Sequence, residues 1–501
     1  MYLYLAAGLC AILVSATWRI ISNVFLSPLA SIPGPFLAKI TSKWLILVEM
    51  SGNRTTTIHK LHNQYGPTVR VGPNEVSFAD GNVIKELYGQ SSDFMKAPVY
   101  DQFSQHPVGI FSMQNKAEHR ERRKLLSHAF AQSNLLQIEP VIGDTVKQLL
   151  KKINGTMGQP TDALVLLRMF ALDVVGNDTG ELFLGKSFSA LESIKPPTFI
   201  RDLDAYFIVM GMKGSFPWLF EIASYFPSTK WQELQQAPKR LRTYGENALR
   251  DYRLRQDAGP KGAKYKDLLH KMLTSHETVS TPSGKPTEVP MTDEQISLEI
   301  GNLVFAGTDT TSTTLTYLFW QLAQCKWQEL LRDELAITQL VDGIATFGDI
   351  DQFPILNAVI AESLRLFPAA PASLQRETPA GGRELAGYFI PAGTVVSMQC
   401  YTTQRDGAIF HDPETFDPTR WMQSPEKLTD MNLYQMPFSK GTRACLGKNL
   451  AMMELKLVVA AVIKQYQIKV ADSMKPGDMN MKDHFLTLPA CGRCDLVFTP
   501  L

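Results

Sequence analysis

The hydrophobic positions of the chain fall into three patterns. The first is an uncharged run, Met1 to Trp18, mainly Leu, Ala, Ile, Val and Tyr; Arg19 and a second apolar patch, Ile20 to Leu26, follow it. At 1.5 Å per residue this length suits a bilayer core of about 30 Å. A cleaved signal peptide would open on charge and end on small residues, and a buried core helix would carry a polar stripe. The run has neither, which predicts a retained single-pass helix. The first charges beside it, Arg19, Lys39 and Lys43, are positive and put the body on the cytosolic side. The second pattern is strict alternation. VRV and EVSF, within Leu61 to Asp80, alternate between YGP and VGPN turn signals, and ELAGYFIPAGTVVSM predicts two strands around a PAG turn. The third is helical periodicity, which governs most of the remainder. Together they predict a mainly α fold with small β-sheets.

Boundaries follow from composition. SPLASIPGP, Ser27 to Pro35, cannot continue a helix and reads as a stiff, extended separator. We therefore divide the chain into an anchor (1–26), a proline-rich hinge (27–36) and one catalytic domain (37–501), since no low-complexity linker or repeat interrupts the body. From Glu139 to about Lys285 several helices and polar loops are expected, among them the apolar, aromatic-rich stretch Ala205 to Phe220, with KYKDLLHKML and PSGKP as surface helix and loop. Net charge is +1, which gives no electrostatic argument for a nucleic-acid partner. Six cysteines over 501 residues are not a disulfide framework, and the CxxC at Cys491 and Cys494 lacks the second pair a zinc site needs. Asn-x-Thr sequons at Asn53, Asn154 and Asn177 stay unmodified if the body is cytosolic.

The chemistry concentrates in FSKGTRACLG, Phe438 to Gly447, which runs into the apolar helix pattern KNLAMMELKLVVAAVIKQY. Cys445 sits in a glycine-bounded loop with Lys440 and Arg443 near in sequence and a helix N-terminus after it, the setting that keeps a thiolate ionised. Gly441 and Gly447 permit close backbone approach to a flat cofactor. Such a thiolate is an axial ligand for haem iron that favours O–O cleavage. A second concentration lies inside the long helix pattern from Met291 to Gln324. Thr292 and Gln295 form a capping box, and Asp293 and Glu294 suit the positive end of the dipole. Its middle, AGTDTT, is poor helix material: a glycine, an acid and β-branched threonines in an apolar stretch. Threonine hydroxyls can bond back to carbonyls four residues earlier, so a kink carrying an acid and an alcohol is predicted. In NAVIAESLRLFP, Glu362 and Arg365 share a helix face, and Arg420 follows in FHDPETFDPTRW.

The order Phe438, Gly441, Arg443, Cys445, Gly447 resembles the haem-binding loop of the cytochrome P450 family, and the likeness extends from about Ser27 to the C-terminus. The resemblance implies the cytochrome P450 fold, with heme b held by Cys445 as axial iron ligand. It implies Asp309 and Thr310 as the acid–alcohol pair that relays protons and orients water at bound dioxygen, with small Ala306 and Gly307 leaving room. It implies a buried network of Glu362, Arg365 and Arg420, and propionate donors among Arg123, Arg376, Arg443 and His119, with Phe438 in the loop. His119 stands in the tryptophan slot of the family's Trp-x-x-x-Arg helix, HRERRKLLSHAF. Arg120, Arg122 and Lys124 of that helix are expected on a solvated or partner-docking face. Phe367 to Leu374 and His484 to Leu488 are expected at the substrate pocket.

The activity so implied is a monooxygenase anchored in the endoplasmic reticulum membrane. It oxidises a small apolar organic molecule with electrons from NADPH, delivered by a separate NADPH-cytochrome P450 reductase, with cytochrome b5 as a second donor. The wording of FSKGTRACLGKNLAMMEL and PNEVSF is similar to filamentous-fungal members, which points to secondary metabolism. A detoxifying or fatty-acid hydroxylase, a reductase-independent haem-thiolate isomerase or dehydratase, and a non-catalytic haem protein are the rival readings. Retention of Asp309 and Thr310 opposes the last two.

Overall fold

Helices dominate and sheets are small, as the periodicities predict, in a computed structural model that describes residues 2–103, 107–176, 188–215, 217–225, 228–258, 268–274, 276–280 and 286–501. The sequon at Asn177 and parts of the KYKDLLHKML and PSGKP stretches lie outside the described residues. The helices that matter below are α1 (Tyr2–Ile21), α2 (Lys116–Ser127), α3 (Ala163–Val175), α4 (Thr198–Ser215), α5 (Asp293–Leu322), α6 (Pro354–Leu366) and α7 (Lys448–Gln465). Contacts divide the chain into two compact units. The first comprises Met1–Pro98, Pro371–Pro413 and Asp430–Arg443, and the second Val99–Ala370, Glu414–Thr429 and Ala444–Leu501.

The first unit is built on a five-stranded sheet. Its strands are β1 (Thr68–Gly72), β2 (Glu75–Phe78), β3 (Met95–Lys96), β4 (Arg376–Glu377) and β5 (Val395–Ser397), in the order β1-β2-β5-β4-β3. Only the β2–β5 pair is parallel. The two strands expected around PAG are present, Tyr388–Ile390 and Val395–Ser397, but they do not pair with each other. Tyr388–Ile390 pairs with Arg383–Leu385 across Ala386 and Gly387, both at positive φ (48° and 79°), while Val395–Ser397 joins the large sheet. Two successive left-handed residues are what a tight two-residue hairpin requires, and Ala-Gly is a weak sequence signal for it.

Helix α1 and the turn after it, Tyr4–Leu26, have a mean hydropathy of 1.7 with 6% of that window buried, long and apolar enough to cross a membrane. The stretch that follows is more than an extended spacer. Leu29 and Ile32 are buried in a core cluster with Val76, Phe78 and Val396. The fully buried Arg70 guanidinium donates to the carbonyls of Asn23 (2.9 Å), Leu29 (3.2 Å), Gly72 (3.3 Å) and Pro73 (2.6 Å), and to Ser27 Oγ at 3.5 Å. A buried cation with neutral acceptors must collect several of them to offset lost hydration.

In the second unit α5 packs against α3, α6 and α7. The expected capping box is present: Gln295 N donates to Thr292 Oγ1 (3.3 Å) and Thr292 N to Gln295 Oε1 (2.8 Å). No 3₁₀ or π segment interrupts α5 from Asp293 to Leu322, so the predicted kink is not a break in the helical ladder. The threonines bond back instead, Thr308 to Val304 O and Thr310 to Ala306 O at 2.7 Å each. That satisfies each hydroxyl within the helix. A hairpin of β6 (Met481–His484) and β7 (Leu486–Pro489) turns at Phe485, whose φ is +79°.

Candidate active site

In the second unit, Gly447 caps α7 and Cys445 stands just before it. Cys445 is exposed as a residue, yet protein atoms crowd its thiol, and that desolvation pushes its pKa up. Opposing the shift are hydrogen bonds from the backbone N–H groups of Gly447 and Lys448 and the charges of Arg123 and Lys448. Arg123, on α2, donates from Nη1 to Ala444 O at 2.7 Å. The backbone N–H groups at the helix N-terminus therefore act as the sequence suggests, and Arg123 and Lys448 add charges that the sequence reading did not assign to the sulfur. Lys440 Nζ donates to Asn432 O at 2.8 Å.

His119 shares the α2 face of Arg123 and is buried. Arg122 corrects the expectation of a solvated basic face: it is 2% exposed and pairs with buried Glu299 of α5. Arg120 is exposed as expected.

Asp309 is buried on α5, and burial pushes its pKa up to about 6. Arg168 of α3, whose Nε lies 3.0 Å from Asp309 Oδ1, pulls the other way. The contact is an ion pair without hydrogen-bond alignment, since both atoms lack a well-directed partner. The other edge of Arg168 grips Asp204 of α4, with Nη2 at 2.9 Å from Oδ1 and Nη1 at 3.2 Å from Oδ2. Asp204 is 45% exposed at its side chain, so the triad runs from a buried acid to a solvated one. A second buried acid, Glu454 on α7, has its pKa pushed up to about 8 by desolvation, with the Thr311 hydroxyl as the one group favouring its charge. Sequence reasoning missed Arg168 and Glu454. The signal was there in ALVLLRMFALDVV and AMMELKLVVAAV, each with two charged residues in an otherwise apolar stretch.

Glu362, Arg365 and Arg420 meet, all buried. Arg365 donates from Nε and Nη2 to the two carboxylate oxygens at 2.8 Å each, and Arg420 Nε donates to Oε1 at 3.1 Å. Two partners were not foreseen: Trp421 Nε1 (2.9 Å) and the backbone N–H of Asp417 (2.9 Å).

In the first unit, Arg376 and Arg443 gather with a residue the sequence did not flag, Lys96. The register of β3 on β4 sets Lys96 beside Arg376. Lys96 is buried, and burial together with the charges of Arg376 and Arg443 drives its pKa well down. Such a concentration of cations is a place for an anion. Arg376 also donates to Gln375 O (2.9 Å) and lies 4.9 Å from the Tyr88 ring centroid. Phe438 is half-buried, and Gly441 takes φ +63° with a Cβ position 1.9 Å from Tyr88 O, so no side chain fits there.

Known proteins resemble the chain over nearly its whole length. A sequence model of the family described as Cytochrome P450 matches residues 33–493. Among relatives, "Cytochrome P450 monooxygenase tazI" of Aspergillus terreus is 32% identical over 481 residues, covering 95% of this chain and 94% of that protein. "Cytochrome P450 monooxygenase cypX" of Dothistroma septosporum is 32% identical (95% and 92% covered), and "Benzoate 4-monooxygenase bphA" of Aspergillus niger 30% (92% and 91%). Of solved structures, a retinoic-acid-bound cyanobacterial CYP120A1 superposes with a TM-score of 0.73 at 22% identity, over 94% of this chain and 99% of that one. At that identity the likeness speaks for the fold alone. A glycine-bounded cysteine ahead of a long helix, a buried Glu-x-x-Arg network and a match over nearly the whole length lead to one assignment: the chain belongs to the cytochrome P450 family and is a cytochrome P450 monooxygenase.

Proposed function

We propose that the protein inserts one oxygen atom of O₂ into a small, apolar organic substrate, reducing the other to water with two electrons from NADPH and two protons. A separate NADPH-cytochrome P450 reductase supplies the electrons, with cytochrome b5 as a second donor. Family membership implies haem, and the residues fit it. An exposed cysteine whose thiol is backed by two N–H groups and the Arg123 charge suits an iron ligand. Within the second unit His119 and Arg123 are donors suited to a carboxylate, and within the first Lys96, Arg376 and Arg443 gather where an anion fits. When bound, the haem supplies dioxygen activation, with thiolate sulfur favouring O–O cleavage.

The chain's own residues serve the protons. Thr310 spends its O–H on Ala306 O, which leaves the Oγ1 lone pairs to accept from an ordered water. Asp309, at about 6, holds or releases a proton at its carboxylate near neutral pH, the condition for a general acid. The α1 span supports a single-pass anchor in the endoplasmic reticulum membrane with the body in the cytosol. The fungal relatives support a role in secondary-metabolite biosynthesis.

The observation that carries this reading is the exposed Cys445 at the start of α7. Dithionite-reduced protein under carbon monoxide should show the thiolate-type Soret band, and Cys445→Ser should lose it. With NADPH, reductase and substrate, oxygen should be consumed, and Thr310→Ala should uncouple that consumption from product. Turnover without reductase would instead indicate an isomerase.

A further inference from the structure

Glu299 is fully buried on α5 and has no part in the chemistry above. Its Oε1 accepts from two separate segments: Arg122 Nη1 of α2 at 2.5 Å and the backbone N–H of Ile110 at 2.8 Å. Burying a carboxylate is costly, so the site fixes whatever it holds. What it holds is a loop lying directly on α5. A Cβ on Gly109 would fall 2.3 Å from Asn302 Nδ2 and 3.5 Å from Leu298 Cδ2. Leu298, Asn302, Ala306 and Thr310 are successive members of one i, i+4 row, about 6 Å apart along the axis. Ala306 is exposed. The loop therefore lies at the N-terminal end of the row that carries Ala306 and Thr310.

Next to Ile110, the Phe111 ring is 41% exposed, too open for a core residue. Its centroid lies 6.0 Å from that of Phe103 and 5.7 Å from that of Phe485, both edge-on, and Phe103 and Phe485 are 5.0 Å apart. Phe485 keeps a left-handed backbone at its hairpin tip, and Thr487 ties that hairpin to Ala369 O (2.8 Å) and Pro368 O (2.7 Å). Three separate segments thus present ring edges and faces in one place, with Glu299 fixing one of them.

We propose that Glu299, paired with Arg122, is a positioning residue for substrate: through the Ile110 N–H it sets the Phe111 ring against Phe103 and Phe485, forming a wall for flat, apolar, aromatic ligands. The inference rests on the reading above that the Ala306–Thr310 row faces the reacting centre. It goes beyond that reading in naming a ligand class and the residue that selects it.

The test uses full-length holoprotein and two probes, imidazole, which carries no second ring, and 1-phenylimidazole, which does. Glu299→Ala should speed exchange of the Ile110 amide by about tenfold or more. It should weaken 1-phenylimidazole about tenfold while changing imidazole less than about twofold. Phe111→Ala should reproduce the ligand selectivity, and Glu299→Gln, which keeps an acceptor for Ile110, should restore both readouts. Equal loss of both ligands, unchanged Ile110 exchange in Glu299→Ala, or failure of the Gln variant to rescue would overturn the proposal. Should Glu299→Ala not fold, an unchanged 1-phenylimidazole affinity in Phe111→Ala overturns it as well. A parent lacking the thiolate-type Soret band would defeat the functional reading instead, and Ile110 exchange, which needs no haem, would still decide the role of Glu299.

Discussion

Removing the Glu362 carboxylate tests the architecture behind the site most sharply. Its two oxygens accept five hydrogen bonds: Oε1 from Arg365 Nη2, Arg420 Nε and Asp417 N, and Oε2 from Arg365 Nε and Trp421 Nε1. The Glu362 and Arg365 side chains are 0% exposed and that of Arg420 7%. Glu362→Ala leaves two guanidinium groups facing each other without the anion that joined them. Breaking one buried pair in this way costs about 3–5 kcal/mol. Orphaning the Trp421 and Asp417 donors adds about 1–3 kcal/mol each before relaxation. Neighbouring losses do not add, so a floor of about 4 kcal/mol is the sound figure. Against a typical total of about 5–15 kcal/mol, that removes much or all of the margin. Glu362→Gln should fall between, since one oxygen still accepts while the new amide N–H₂ confronts donors. The assay is urea unfolding of the full chain alongside the haem-to-protein ratio. A Glu362→Ala protein with normal haem content and unfolding free energy within about 1 kcal/mol of the parent would refute the reasoning.

Three further outcomes are expected. Gly441→Ala should yield protein with little bound haem, because a Cβ there meets Tyr88 O at 1.9 Å; normal haem content would show the loop yields. Glu454 carries a raised carboxyl pKa of about 8, so the folded state holds a proton that the unfolded state releases. Its stabilising share is present below the ordinary value of 4.5 and is lost as pH rises to about 8, at up to about 1.4 kcal/mol per pH unit. Glu454→Gln should flatten the fall of melting temperature across that window, and a parallel slope would place the titration elsewhere. Arg168→Met should raise the Asp309 pKa above about 6, since Arg168 is the charge that opposes burial. The pH profile of coupling between oxygen use and product should then move upward, and an unmoved profile would show that Asp309 does not titrate in the working range.

Local chemistry was legible in the chain wherever partners are close in sequence. The capping box at Thr292, the back-bonded threonines and the Glu362–Arg365 pair each span three or four residues, and each is present as read. Arg420 joined them through the family likeness. What sequence could not show is pairing across long separations. Arg168 with Asp309, Lys96 with Arg376 and Arg122 with Glu299 depend on which helices and strands become neighbours. The same limit hid a charge beside the thiolate: Arg123 is distant from Cys445 along the chain, yet its charge acts on the sulfur. The hairpin at Ala386–Gly387 was lost for another reason, since nothing but backbone handedness marks it.

The guanidinium of Arg70 limits how far the N-terminus can be shortened. A polypeptide cut after Ile21 retains every acceptor that group uses. One cut at Pro33 loses Asn23, Ser27 and Leu29 together, and leaves a buried cation with the Gly72 and Pro73 carbonyls alone. Versions shortened at the N-terminus should therefore begin no later than Asn23, or carry Arg70→Met to remove the charge that the deletion strands.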